Sequence, residues 1–337
     1  MSQYRHCDVY RKHIGSNMSS TIIALIFAFF IGIRPHRGFE DTGNYVEYYD
    51  MVYGTLFQFD WGAENFLFDN LLNFMASLGV PVTLFFIVIA IIYFVGTAIA
   101  CGKLFPGNTL LAFVTYLGAF STFSYGTNGV KAGAAAAFFL LALAYRERKI
   151  FAVFLLWISL GFHHSMQAPI VAFIISYFYQ KDKYYFYGWV FCLLMAAAHV
   201  TFFQSFFSNF TDERGLTDYL YVGKTTKTVS GFRPDFILYS AVPMCIGYYI
   251  IIKKRIQSPI YSFLWRVYTL TNSVFLLCTY ANFINRIAYL SWLMYPIVLL
   301  YPFVNITCSN YQKKYVGYAV YGHLFFTLFM EIFYYGI

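Results

Sequence analysis

Apolar residues fall in long blocks separated by short polar stretches, with the wide, non-alternating pattern of helices buried all round rather than amphipathic ones. Such blocks lie near 18–33, 82–100, 108–124, 129–145, 150–162, 165–179, 184–203, 236–252, 262–281, 287–305 and 315–335. A helical crossing of a bilayer needs about 20 residues. The pattern therefore predicts an all-α, polytopic helical membrane protein with about eleven transmembrane helices, forming a single integral-membrane domain over 1–337. The block 66–78 is shorter, carries Asp69, Asn70 and Asn73, and ends at Gly79 and Pro81, which predicts an interfacial or re-entrant helix. Two polar stretches, 34–65 and 204–235, are long enough to be sizeable loops.

Composition fits that reading. Of 337 residues, 60% are hydrophobic and only 11% charged, whereas a soluble domain carries roughly a quarter charged residues. The net charge of +8 is scattered between blocks, so it gives no single basic face and no sign of a nucleic-acid partner. The six cysteines have no paired spacing that suggests zinc or a disulfide framework.

Lysine and arginine distribute asymmetrically. With a cytosolic N-terminus, the inner segments hold clusters such as Arg146, Arg148, Lys149 and Lys253, Lys254, Arg255, as the bias toward positive cytoplasmic loops requires. Basic residues flank both ends of 145–183, which predicts a hairpin turning at Gly161–Ser165. The first block is read as a retained anchor, because no small-residue cleavage site follows it. The loops 34–65 and 204–235 then lie on the outer side.

The outward cations are not explained by this bias. Arg34 and Arg37 follow the first block, Lys131 opens the fourth, Arg233 precedes the eighth and Arg286 begins the tenth. Each alone could be a side chain reaching toward headgroups. Together they predict a binding ring for a lipid-linked pyrophosphate, since guanidinium groups grip phosphate oxygens in bidentate fashion. His163 and His164 are candidate proton acceptors, with Asp41 a further one or a metal ligand; ion pairing of Glu40 and Asp41 with Arg34 and Arg37 is the plainer expectation. Asn44, Tyr45 and Tyr48 could contact sugars, or belong to an aromatic belt at the membrane boundary. No P-loop, HExxH or GxSxG motif is present.

Five stretches carry a resemblance: GIRPHRGFEDTGNY at the end of the first block, NGVKAGAAAAFFLLALAYRERK, LGFHHSMQAPIVAFI, GFRPDFILYSAVP and NRIAYLSW. Their order resembles the EpsG-like, Wzy-type polysaccharide polymerases. Lys131 and Ala132 stand where the family has arginine and glutamine, and the charged stretch 1–17 stands where it has a further span. The resemblance implies a GT-C-like membrane glycosyltransferase, metal-independent and without cofactor, in a bacterial cytoplasmic membrane. It would polymerise polyprenyl-pyrophosphate-linked oligosaccharide at the outer face, with a chain-length regulator and a flippase as pathway partners. The alternatives are a flippase for the same lipid-linked sugar, or a membrane acyltransferase using the histidine pair.

Overall fold

The computed structural model describes residues 2–203, 231–281, 284–306 and 312–335. Every regular element among them is helical. The chain divides into two compact units: Met1–His163 with His323–Ile337, and His164–Gly322.

The first unit opens with α1 (Ser2–Gly32), a 3₁₀ turn (His36–Gly38) and α2 (Glu40–Met51). There follow α3 (Phe66–Ser77), α4 (Val82–Leu104), α5 (Thr109–Leu117), α6 (Phe120–Thr127), α7 (Val130–Ala144) and α8 (Lys149–Phe162). Along α1, Ser20, Ala24, Ala28 and Ile31 are buried at helical spacing and face α4, and Gly32 lies so close to Ile87 that a Cβ there would sit 2.6 Å from its side chain. The opposite face, including Ile26 and Phe30, is exposed, as a lipid-facing surface would be. Helix α7 is the core: its alanines are almost all buried, and it packs against both α4 and α8. Small side chains permit that approach, with Gly96 of α4 against Ala137 of α7.

The second unit contains α9 (Gln167–Phe178), α10 (Asp182–Ala197), α11 (Pro234–Gly247) with a π-helical turn (Tyr248–Lys253), α12 (Pro259–Leu277), α13 (Ile284–Trp292) and α14 (Tyr295–Asn305). Helix α15 (Gln312–Phe329) runs from this unit back into the first. Buried polar groups join these helices. Trp189 Nε1 donates to Asn272 Oδ1 at 2.8 Å, and Asn272 Nδ2 donates to Ser291 Oγ at 2.9 Å. On either side of Pro243, which lacks the N–H of a helix interior, Tyr268 and Trp265 donate to the Ser240 and Met244 carbonyls and tie α11 to α12.

Four described helical stretches are long and apolar enough to cross a membrane: Gly15–Gly32, Val82–Leu104, Pro234–Lys253 and Ile284–Asn305. Val130–Ala144 and Lys149–Phe162 are apolar but shorter. The block expected at 66–78 is the separate helix α3. The block 108–124 is broken at Gly118 and Ala119 into α5 and α6. The polar stretch 34–65 contains a helix, α2, and residues 204–230 of the second expected loop lie outside the described residues.

Candidate functional site

Immediately after α1, the chain turns back over the start of α7. Arg34 directs this turn: Nη1 donates to the Ile31 carbonyl at 2.7 Å, Nη2 donates to the Thr127 carbonyl at the end of α6, and the guanidinium lies over the Phe39 ring. Burial lowers its pKa to about 10, so it stays charged at neutral pH. Two residues on, His36 is buried and stacked on Phe86 of α4, with ring centroids 3.8 Å apart. Desolvation, then the neighbouring Arg34 charge, push its pKa down to about 4, partly offset by the Gly32 carbonyl, so the ring is neutral.

Helix α2 starts without a capping side chain of its own. Its cap comes from Asn128, in the break between α6 and α7: Asn128 Oδ1 accepts the Asp41 N–H at 3.0 Å, and its Nδ2 donates to Asp41 Oδ2 at 2.9 Å. Thr42 is fully buried and donates to the His36 carbonyl at 2.7 Å. One turn further along, Tyr45 sets its ring edge-on to Phe68 of α3 and lies 5.5 Å from the Lys131 ammonium. Lys131 is 5% exposed, and it occupies the first turn of α7, where the helix dipole already favours an anion. At the other end of α2, Tyr49 and Tyr53 donate to the Val80 and Gly79 carbonyls just before α4. A narrow cleft with room for about one water molecule, lined by Arg34, Phe86, Tyr93, Tyr125 and Val130, lies in the same unit.

Arg34, Asp41, Tyr45 and Lys131 are thus brought together from stretches some 90 residues apart in sequence. Arg37 pairs with Asp50 at 2.9 Å on the exposed side of α2. Such an exposed pair contributes little to stability. Asn44 and Tyr48 are exposed on the same helix. His163 and His164 are both buried, at the end of α8 and in the following 3₁₀ turn. In the second unit, Arg233 is held in bidentate fashion by Asp235 and lies 4.0 Å from the Phe236 ring centroid. Arg286 is half-buried in the first turn of α13. Among the described residues, no three of histidine, cysteine, aspartate and glutamate come together as a metal site.

A model of the EpsG family matches residues 17–336. The chain belongs to the EpsG family. The match spans α1 through the last helix and includes both stretches that form the cluster, so this EpsG-family membrane protein carries the cluster within its family-defining region. No curated protein and no solved structure matches it. Sequence reasoning gave two residues here no role of their own: Asn128 enters it only as the asparagine of the NGVKAG stretch, and His36 only as a further histidine on the outer side. The signal for Asn128 was its place beside Lys131; its partner 87 residues upstream becomes visible only once α2 exists.

Proposed function

We propose that the chain polymerises polyprenyl-pyrophosphate-linked oligosaccharide repeat units at the outer face of a bacterial cytoplasmic membrane, crossing it about eleven times with its N-terminus in the cytosol and a GT-C-like architecture. An acceptor hydroxyl attacks the anomeric carbon of the donor, the bond from that carbon to the pyrophosphate oxygen breaks, and polyprenyl pyrophosphate departs with the electron pair. The hydroxyl proton passes to His163 or His164, with Asp41 the alternative acceptor. No metal is required in this scheme, because cationic side chains offset the leaving group's charge.

The observation that carries this reading is the buried Lys131 ammonium in the first turn of α7, beside the loop that follows α1, within a chain of this family. Lysine charge and helix dipole act on an anion in the same sense. Arg34 already gives its two terminal nitrogens to backbone carbonyls, so its part is to hold the loop and add long-range positive potential. Arg37, Arg233 and Arg286 are the further pyrophosphate contacts, with Arg37 and Arg233 leaving their carboxylate partners on substrate arrival. Asn44, Tyr45 and Tyr48 present the sugar-facing side of α2. A chain-length regulator and a flippase of the same pathway are the expected partners.

Purified protein in detergent, given lipid-linked repeat units, tests the reading. A polymerase extends them without any membrane to cross, and a flippase yields no longer product. Absence of extension by well-folded protein with a competent acceptor rules the proposal out.

A further inference from the structure

By sequence, 34–65 is polar and acidic, yet its distal part is neither unbraced nor polar at its surface. The Gly54 N–H donates to the Ala76 carbonyl at 2.9 Å, and the Tyr53 hydroxyl to the Gly79 carbonyl at 2.5 Å. Asn70 grips the backbone of Asp60 from both sides, accepting its N–H at 2.7 Å and donating to its carbonyl at 2.8 Å. Phe57 packs edge-on against Phe74 of α3. This bracing holds large apolar side chains outward: Leu56 is 86% exposed, Trp61 85%, Met51 71% and Leu78 61%, with Phe59 lying 4.5 Å from Trp61. A soluble surface rarely fixes such a patch open to water.

We propose that Met51, Leu56, Phe59, Trp61 and Leu78 form a knob seated in the headgroup–acyl boundary of the leaflet at which α4 begins. Its position argues for this occupant. The bonds to Ala76 and Gly79 fix the knob beside Pro81, where α4 starts, and so make it continuous with the exposed apolar side of α4 at Leu84. Its chemistry argues the same way. Three of the five side chains are aliphatic, which suits acyl chains, whereas sugars are gripped by flat rings flanked by free hydrogen-bonding groups. Two carboxylates of this stretch are engaged locally: Asp60 accepts the Gly62 N–H at 2.8 Å, and Asp50, beside Met51, pairs with Arg37. The knob and the Lys131 cluster share α2, so depth in the leaflet and height of the cluster are set together.

Depth-dependent fluorescence quenching in nanodiscs tests this on the full chain. The difference between wild type and Trp61→Phe isolates the Trp61 emission, and Trp61 is too exposed for that substitution to disturb folding. The expected result is emission at shorter wavelength than indole in water, quenched about twofold by lipids brominated near the top of the acyl chains and less by lipids brominated near the bilayer centre. A tryptophan placed by Leu56→Trp in the Trp61→Phe background should respond in the same way. Water-like emission untouched by either lipid overturns the proposal. So does quenching that appears only on addition of soluble glycan, which would make the patch a sugar platform.

Discussion

Removing the Asn128 side chain tests whether α2 is held as described. In Asn128→Ala two hydrogen bonds disappear, one from the Asp41 backbone and one to its carboxylate. The neutral bond is worth about 1 kcal/mol net, and the bond to a half-exposed carboxylate about 1.5 kcal/mol, so the loss is about 2.5 kcal/mol. Asp41→Ala removes only the carboxylate bond, because its N–H still reaches Asn128. A double-mutant cycle between the two positions should therefore report a coupling of about 1.5 kcal/mol, read from unfolding free energies in detergent. Asp41→Asn keeps an acceptor oxygen in place and should retain most of the coupling and most polymer synthesis. A coupling below about 0.3 kcal/mol would show that the clasp does not form. If Asp41→Asn abolished synthesis at unchanged stability, Asp41 would be the proton acceptor and the histidines would not.

Lys131→Ala should lower polymer synthesis about a hundredfold at equal protein level, which corresponds to about 3 kcal/mol in the barrier, while Lys131→Arg should restore part of it; gel ladders in a deletion strain show both. Gly133→Ala would bring a Cβ to 2.6 Å from the Tyr125 carbonyl oxygen, which is backbone and cannot swing aside, so the denaturation midpoint should fall by the equivalent of about 1–3 kcal/mol. His36, with its pKa lowered from 6.5 to about 4, makes stability rise as pH increases across that window, because there the unfolded chain binds a proton that the folded chain refuses. Relative to wild type, His36→Phe should accordingly be more favourable at pH 5 than at pH 8, measured as the difference in denaturation midpoint; an equal difference at both values refutes the buried neutral ring.

Hydropathy located the long helices well, since α1, α4 and α11 with its π turn fill blocks read at 18–33, 82–100 and 236–252. It missed α2 for a definite reason. Among the described side chains of that helix only Thr42, Val46 and Tyr49 are buried, a stripe one residue wide, and averaging over the acidic and amide residues between them erases it. The break at Gly118 was equally invisible, because both halves of the block are apolar. Charge and placement singled out Arg34 and Lys131 as candidates, but could not show that the Arg34 nitrogens are taken by carbonyls of α1 and α6. That use depends on a loop folding back across distant chain, which no local pattern encodes.

Helix α2 is fastened at both ends, by Asn128 at its start and by the Tyr49 and Tyr53 hydroxyls near its finish. Tilting it would break bonds to the α6–α7 junction and to the turn before α4 simultaneously. It is therefore ill suited to be a swinging gate. Any opening that the proposed polymerisation requires would then have to come from other elements, with α2 as a fixed sill beside them.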